Sequence, residues 1–486
     1  MVDRTAGNQR IVTTGLTKDI VSQDNTQSLR MREHHAPYPS NSLQFLRNQS
    51  PSPKISLKVV VVGAGLGGLA TAIAFARSGH RVEVLEQASK LGEVGAGIQV
   101  PPKFLRILQS WGIDSFLTQH VVEPHSITFR RWQDGEPIAL TPLNPDFRER
   151  YDAPYYVVHR ADLHHALHQL ALKHGVVVRT NCRVREYHET LPEITLTSDE
   201  VVRADLIVAA DGIKSVARQV LDPFHAPKPM ATGFAAYRAT VPVDAMEEDV
   251  QTAWLLDSPS LNLCIGPGQH VMKYTIAAGK TFNLVLSHKD NTDPSNWSSL
   301  SQKQTIKSMR QAFENWDPRL VRVIDKIKSA AKWPLMKVPT MRKWVSRSGH
   351  LVVLGDAAHA MLPYMSQGAA MAVEDAAALG EAMADLQKYD DLIRRLSVFE
   401  EVRRLRAVQM QDASEINGIL WHFDDGPEQV ARDAAARREV LGEPFESSSN
   451  QWSDPVTQRW TYGYDAVWEM QKALGTIIVI DRQEFC

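Results

Sequence analysis

The chain has 486 residues, 43% of them hydrophobic, which is enough to bury a large core and to form two or more domains. Its formal net charge of -2 provides neither a broad basic field for nucleic acid nor the acidic excess of a disordered protein. The three cysteines form no Cys-x-x-Cys pair, and no apolar run approaches the roughly 20 residues of a membrane-spanning helix. We therefore expect a folded, cytoplasmic protein that neither binds nucleic acid nor crosses a membrane.

The first 54 residues are polar, with Ser, Asn, Gln and Pro throughout, and they lack the apolar block of a secretory signal. Four acidic residues among them argue against an organellar transit peptide. We expect residues 1–54 to be a disordered N-terminal tail.

A Rossmann-like unit follows this tail. The β-branched run Leu57 to Val62 leads into Gly63-Ala64-Gly65-Leu66-Gly67-Gly68, then a helix-forming stretch and the strand-like run Val82 to Leu85. In such a unit Gly63 permits the turn, Gly65 lets the backbone approach a pyrophosphate, and Gly68 allows the helix to pack closely on the strand. Glu86 ends the second strand, where its carboxylate can accept hydrogen bonds from ribose hydroxyls.

Further buried strands are predicted at residues 176–178, 206–210 and 351–354, with a helix over 163–173. Between them, residues 232–289 change to alternating, β-rich segments, which predicts an inserted antiparallel sheet. The predicted units are a first domain over 55–225, the inserted domain over 226–340, a return to the first domain over 341–390, and a helical, aromatic-rich segment over 391–486.

Two more motifs lie at the ends of predicted strands. Asp211-Gly212, with Ser215 and Arg218 at fixed offsets, follows the strand over 206–210. Gly355-Asp356 follows the strand over 351–354, and Gln367-Gly368-Ala369 then opens a helix after Pro363. Backbone N–H groups at that helix start are suited to stabilise negative charge.

The three motifs, in this order, resemble those of single-component, FAD-dependent class A aromatic monooxygenases, the p-hydroxybenzoate hydroxylase fold family, and particularly its salicylate hydroxylase-like branch. The resemblance covers roughly residues 57 to 415. It implies an α/β fold, with a Rossmann-like FAD-binding domain, an inserted antiparallel β-sheet substrate domain and a helical C-terminal segment.

The resemblance also implies which residues hold a tightly bound FAD. Glu86 would contact the adenosine ribose, Gly97 and Arg160 would approach the cofactor, and Asp211 would lie near the pyrophosphate and take part in nicotinamide binding. Asp356 would contact the ribityl chain, and the flavin ring would meet the backbone of two further residues, Gly368 and Ala369.

Three residues are candidates for catalysis. The segment around Tyr237 and Arg238 resembles the one that lines the substrate cavity, and adjacent residues of a strand point to opposite faces, so only one of the two can enter it directly. Tyr237 could hydrogen-bond a phenolic oxygen, whereas Arg238 could pair with a carboxylate. Pro363 resembles the family proline whose carbonyl lies near the reacting ring. Where some relatives carry cavity histidines, this chain has Gln99 and Gly233.

The implied activity is hydroxylation of a small aromatic acid or phenol: NADH or NADPH binds transiently and reduces the flavin, and oxygen then forms a C4a-hydroperoxyflavin. A tailoring enzyme acting on a larger phenol, polyketide or indole is an alternative. A non-catalytic flavin sensor or scaffold and a simple nicotinamide dehydrogenase are alternatives of other classes. A monomer and a homodimer are both compatible with the sequence.

The last hundred residues contain two further patterns. Apolar residues from Leu392 to Leu405 form one helical stripe, and five arginines, of which Arg403 and Arg406 are examples, are expected to form a solvated charged face. The terminal aromatics are expected to pack against the main body. His164 and His168 have i, i+4 spacing but lack a metalloprotease Glu, so no metal site is predicted.

Overall fold

The computed structural model describes residues 55–92 and 96–483. The predicted disordered tail, residues 1–54, lies outside the described residues.

Strands and helices are numbered here in chain order. The strands are β1 (Lys58–Val62), β2 (Arg81–Leu85), β3 (Gly97–Val100), β4 (Val121–Val122), β5 (Ser126–Arg131), β6 (Pro137–Pro142), β7 (Tyr156–His159), β8 (Val177–Arg179), β9 (Val184–Tyr187), β10 (Glu193–Leu196), β11 (Val201–Arg203), β12 (Leu206–Ala209), β13 (Met230–Pro242), β14 (Leu261–Gly266), β15 (Gln269–Ile276), β16 (Thr281–Lys289), β17 (Ala330–Lys337) and β18 (Leu351–Val353). The helices are α1 (Leu66–Arg77), α2 (Pro102–Trp111), α3 (Asp114–Leu117), α4 (Asp146–Tyr151), α5 (Arg160–Lys173), α6 (Ala217–Leu221), α7 (Val243–Glu247), α8 (Val250–Ala253), α9 (Gln302–Ala312), α10 (Pro318–Asp325), α11 (Asp356–His359), α12 (Gly368–Met383), α13 (Asp391–Trp421), α14 (Pro427–Leu441), α15 (Pro455–Tyr462) and α16 (Ala466–Gln483).

A five-stranded parallel sheet in the order β18-β12-β1-β2-β8 forms the first layer. Its central strand is apolar because both faces are covered: Val59, Val60 and Val61 are fully buried. These are the five strands that the sequence predicted. Since they are parallel, the carboxyl ends of β1, β12 and β18 meet at one edge, and this edge brings together the three glycine-containing motifs.

The second layer is a seven-stranded sheet in the order β17-β13-β16-β15-β14-β5-β6. The predicted strands over 232–289 are present, but β5 and β6 join the same sheet from a part of the chain that precedes the predicted insertion at 226. The sheet is also not purely antiparallel, because β14 pairs with β5 in parallel. The arginines that end β5 obscure its alternating pattern, which is why the sequence did not indicate it.

Each face of the large sheet belongs to a different core. One face packs on the parallel-sheet body through side chains such as Met272, Tyr274 and Ile276. The other face is covered by α9 and α10 and contains Leu284 and Leu286. Along the regular part of a strand, a side chain of this sheet therefore points toward the parallel-sheet body or away from it according to its parity.

The long helix α13 corrects one prediction. Leu392, Leu396 and Phe399 are buried as expected, but Leu405 is exposed. The arginines do not form a solvated face, because Arg403 is fully buried and Arg406 is 4% exposed. They face acidic side chains of α12, and the C-terminal helices cover them.

The aromatic C-terminal segment packs on the main body, as predicted. Trp452 and Tyr462 are each 1% exposed, and Trp452 makes edge contacts with Phe129 and Trp421. Trp468, at 38% exposed, is less enclosed. None of the helices within 55–92 and 96–483 has the length and apolar character needed to cross a bilayer.

Candidate active site

Helix α1, which follows the early glycine motif, and helix α12, which begins at Gly368, start side by side. A Cβ on Gly67, near the start of α1, would lie 3.0 Å from the Cβ of Ala372 in α12, and one on Gly380 would lie 2.7 Å from the Cβ of Ala74. The contacts advance in the same direction along both helices, so α1 and α12 run parallel with their N-termini on the same side. Two sets of unpaired N–H groups and two positive dipole ends thus face one region, which favours an anionic ligand.

The early loop is tight at two glycines and open at the third. A Cβ on Gly68 would lie 1.9 Å from the carbonyl oxygen of Gly63, and one on Gly63 would lie 2.4 Å from that of Ala210. A Cβ on Gly65, by contrast, would meet no atom within 4 Å. The N-terminus of α1 therefore faces open space, with room for a phosphate group.

Two side chains fix the backbone of this loop through hydrogen bonds. Glu86 accepts hydrogen bonds from the backbone N–H groups of Ala64 (2.9 Å) and Ala88 (2.8 Å). The buried His164 contacts the carbonyl oxygen of Ala64 through Nε2 at 2.7 Å. Metal binding is the only role that the sequence suggests for His164, because no local pattern indicates its contact with a loop 100 residues away. No group of three or more potential metal ligands is found among the described residues.

Asp211 lies at the same edge, at the end of β12. Its Oδ2 accepts from the Tyr187 hydroxyl and the Val216 N–H, both at 3.2 Å, while its buried Oδ1 has no hydrogen-bond partner. Burial raises the pKa of Asp211 above its usual value. An unpaired buried carboxylate oxygen at this position is suited to a polar ligand group.

The late loop is fixed by a carboxylate that the sequence did not single out as functional. The fully buried Asp375 accepts from the Gly355 N–H (3.0 Å), from His359 Nε2 (2.6 Å) and from Arg403 Nε (2.8 Å). Burial alone would raise the pKa of Asp375, but its contacts with His359 and Arg403 hold the pKa at about 2. Asp356, the first residue of α11, is exposed beside this network.

The start of α12 is open in the same way as Gly65. A Cβ on Gly368 would meet only the side chain of Met361, at 3.9 Å, and Ala369 is half-buried. Gln367, which precedes the helix, is fully buried, and neither its amide nitrogen nor its oxygen has a partner. Pro363 is exposed, whereas the residues on both sides of it are buried.

Gly97 joins the two layers of the molecule. Its N–H donates to Asn283 Oδ1 of the large sheet (2.9 Å), and a Cβ would lie 2.5 Å from the Tyr274 ring. Arg160 begins α5 directly beside this strand and donates its backbone N–H to Ala96. The predicted residues Gly63, Asp211 and Asp356 follow the ends of β1, β12 and β18, whereas the contacts of the ten residues with a cofactor stay predictions. Open space at two helix N-termini, an unpaired Asp211 oxygen and an unpaired Gln367 amide fit an extended dinucleotide such as FAD.

Tyr237 and Arg238 point to opposite faces of β13, as predicted, and this corrects the assignment of Tyr237. The Tyr237 ring is 2% exposed and stacks on His288, with ring centroids 4.7 Å apart, in the core beneath α9 and α10. Burial raises its pKa to about 12. Arg238 lies on the other face, near enough to Tyr274 that its charge opposes the burial-induced rise in the pKa of that phenol.

The two positions without the expected histidines differ in character. Gln99 is buried and accepts a hydrogen bond from the Tyr155 hydroxyl at 2.5 Å. Gly233 has a φ of +76° at an irregularity in β13, and Phe234 beside it stacks on His422.

A histidine pair near Pro363 was not predicted from the sequence. His270 Nδ1 lies 2.8 Å from His422 Nε2, and the ring of Tyr364 makes edge contacts with both imidazoles. Burial lowers the pKa of both histidines, to about 3 for His422, where the charges of Lys289 and Arg432 add to the effect. Both imidazoles are therefore neutral at pH 7.

Such a fold, with its open dinucleotide cradle, is that of a flavoprotein. The model of the FAD_binding_3 family, described as an FAD binding domain, matches residues 56–414. The FAD-dependent monooxygenase OpS4 of Beauveria bassiana is 34% identical over 413 residues, 85% of this chain and 96% of that protein. A 3-hydroxybenzoate 6-hydroxylase of Klebsiella oxytoca is 32% identical, covering 77% of this chain and 91% of its own length.

Solved structures agree with these sequence relatives. A salicylate hydroxylase in complex with its substrate superposes with a TM-score of 0.70 at 25% identity, over 87% of this chain and 98% of that one. The chain belongs to the family of FAD-dependent monooxygenases. The predicted fold class, the enzyme class and the use of FAD are thereby confirmed.

Proposed function

We propose that this enzyme uses NADH or NADPH and O2 to hydroxylate a small aromatic acid or phenol. The observation that carries the proposal is the position of Arg238: it lies on the sheet face that packs on the parallel-sheet body, near Tyr274, whose ring closes on Gly97. A guanidinium there can pair with a carboxylate or phenolate. The relative that acts on 3-hydroxybenzoate has a substrate of this kind by name.

FAD, when bound, would supply the redox and oxygen chemistry. The residues of this chain would hold it and orient the substrate. The backbone N–H of Gly65 would face the pyrophosphate, and those of Gly368 and Ala369 would face the flavin ring, where they would stabilise negative charge. Arg238 orients the substrate and favours its phenolate form, which is the more reactive toward an electrophilic oxygen.

The remaining groups shield and shape the site. Pro363 lies on the loop that leads into α12, in contact range of a substrate held between that loop and the sheet. Asp211 takes part in binding the pyrophosphate or the nicotinamide through its unpaired Oδ1. The apolar side chains packed around these groups exclude water from the reacting ring.

The test is the rate of NAD(P)H oxidation by the purified flavoprotein with and without a panel of hydroxybenzoates, substituted phenols and indoles. The proposal predicts that a hydroxybenzoate or small phenol accelerates oxidation and returns a product heavier by one oxygen, or a decarboxylated hydroxylation product. Hydroxylated or epoxidised indoles or larger phenols alone would instead establish the tailoring alternative. NAD(P)H oxidation without any oxygenated product would refute both.

A further inference from the structure

A stripe of polar side chains on α13 forms hydrogen bonds with the loop that contains Pro363. The stripe consists of Gln411, Ser414 and Asn417, which are spaced three residues apart and therefore share one face of the helix. All three are buried, with exposed fractions of 9%, 0% and 1%. Buried polar side chains on a helix that packs against a loop require hydrogen-bond partners, and here the partners are backbone carbonyl groups.

The stripe holds every second carbonyl of the loop. Gln411 Nε2 donates to the carbonyl of Ala360 (3.2 Å), Ser414 Oγ to that of Leu362 (2.6 Å), and Asn417 Nδ2 to that of Tyr364 (2.7 Å). The carbonyls of Leu362 and Tyr364 flank Pro363.

Gly418, which follows Asn417 in α13, further restricts the position of the loop. A Cβ on Gly418 would lie 2.6 Å from the ring of Tyr364, so this ring packs directly on the helix backbone. Ser414 and Asn417 fix the residues on both sides of Pro363, while Pro363 itself stays exposed. The loop continues directly into Gly368 and Ala369.

We propose that Ser414 and Asn417 are positioning residues for oxygen transfer, which set the place of Pro363 and of the first turn of α12 relative to the substrate. The proposal rests on the function proposed above. Neither side chain is among the residues placed at the cofactor or the substrate; both act through the loop. A misplacement of about 1 Å between reacting groups is sufficient to slow a reaction on the order of a hundredfold.

The test compares two substitutions with matched controls. Ser414→Ala removes one donor, and Asn417→Asp replaces a donor by an acceptor of the same shape, facing a carbonyl. The controls are Ser397→Ala, an exposed serine of α13 that donates to its own helix at Ile393, and the exposed Asn296→Asp. FAD content, product formed per NAD(P)H consumed, hydrogen peroxide release, kcat and KM are measured for each holoenzyme.

We expect both substitutions to lower kcat for product at least tenfold and to divert reducing equivalents to hydrogen peroxide, with FAD content and the KM for NAD(P)H within about twofold of wild type. Ser414→Thr, which retains the hydroxyl, should recover coupling, and the controls should behave as wild type. If Asn417→Asp does not fold, the comparison of Ser414→Ala with Ser414→Thr decides. Wild-type coupling in Ser414→Ala, or a loss explained by released FAD, would overturn the proposal.

A second readout separates this proposal from the proposed function. The visible absorbance band of bound flavin needs no aromatic substrate, and Ser414→Ala should shift it whereas Ser397→Ala should not. If the wild type oxygenates no aromatic compound but this shift is seen, the proposed function fails while the loop is still positioned by the stripe. If neither the band nor the coupling changes, the positioning proposal fails by itself.

Discussion

At the scale of single residues, the early glycine loop contains one glycine that the fold requires and one that it does not. Gly68 is required because the backbone of Gly63 comes too close for any side chain. Gly65 has no such neighbour, and its φ of -71° suits any residue. No contact within the protein requires a glycine there, and we propose that the approach of a ligand to the start of α1 does.

This difference predicts opposite phenotypes for two Gly→Ala variants. Gly68→Ala should destabilise the apoprotein by about 1 to 3 kcal/mol, the usual cost of overpacking, in urea unfolding. Gly65→Ala should leave apoprotein stability within about 0.5 kcal/mol and weaken FAD binding at least tenfold in a fluorescence titration. Unchanged FAD affinity in Gly65→Ala would show that the phosphates do not lie there.

For Arg238 and Tyr237, the sequence predicts that the two side chains point to opposite faces of a strand, but not which face is covered by helices. Adjacent positions predict opposite faces, and the structure has them so. Which of the two faces is covered depends on α9 and α10, formed by residues 302–325, far along the chain. No local pattern around Tyr237 could indicate that those helices cover it.

Substitutions at these two positions should therefore differ sharply. Arg238→Ala should lower kcat/KM for the aromatic substrate on the order of a hundredfold, because a charged partner is lost from the site. Tyr237→Phe keeps the stacking on His288 and should retain at least half of the wild-type turnover. Steady-state kinetics with the best aromatic substrate decide, with the exposed Arg203→Ala as a control. Equal losses in Arg238→Ala and Tyr237→Phe would contradict the assignment.

The pair of His270 and His422 predicts a pH dependence of stability. Burial lowers the pKa of His422 from 6.5 to about 3, so below pH 6.5 the unfolded chain takes up a proton that the native state does not. Native stability is thus lost as the pH falls from 6.5 toward 3, by up to about 1.4 kcal/mol per pH unit for each such histidine.

His422→Phe should flatten this loss while keeping the aromatic stack with Phe234. The free energy of unfolding, measured in urea between pH 7.5 and 5, should fall less steeply in the variant than in the wild type. The comparison concerns the slope, because the lost hydrogen bond to His270 lowers stability at every pH. Identical slopes would mean that His422 titrates normally in the native state.

At the scale of elements, the contact of α12 with α13 is ionic and buried. Glu374 forms ion pairs with Lys103 of α2 and with Arg403 (2.8 Å), and Arg406 lies 3.7 Å away. The sequence contained one signal for this arrangement, since two adjacent acids, Glu374 and Asp375, interrupt the apolar run of α12 from Ala369 to Leu379. Buried carboxylates require cationic partners, and the arginines of α13 provide them.

Lys103 and Glu374 should tolerate substitution very differently. Burial, together with Arg406 and Arg403, lowers the pKa of Lys103 to about 7 against the opposing effect of Glu374. Because this lowered pKa leaves Lys103 only weakly held in its charged form, while Arg403 and Arg406 still face Glu374 and Asp375, we expect Lys103→Met to cost at most about 1.5 kcal/mol, as for a volume-conserving swap.

Glu374→Gln leaves the cations facing Asp375 alone and should cost about 3 to 5 kcal/mol. Urea unfolding of both variants at pH 7.5 measures the two costs under the same conditions. The charge balance described here is wrong if Lys103→Met is the more destabilising of the two.

At the scale of the whole molecule, the chain order of the motifs was sufficient to predict the parallel sheet and its binding edge. Each motif follows a buried strand, and parallel strands end at a common edge. The pairing of β5 with β14 and the covering of α13 by the C-terminal helices were not predictable. Strands β5 and β14 are more than a hundred residues apart in the chain. Helix α13 and the C-terminal helices share no local pattern that would indicate their contact.

The central claim is that oxygen activated between the α1 and α12 N-termini reaches an aromatic ring held near Arg238. The most direct measurement is a single turnover: the holoenzyme is reduced anaerobically by NAD(P)H with a hydroxybenzoate present, ¹⁸O2 is admitted, and the product mass is determined. The account predicts one ¹⁸O atom in the aromatic product for each enzyme-bound flavin. Recovery of all the label as hydrogen peroxide, with every hydroxybenzoate, phenol and indole unchanged, would contradict it.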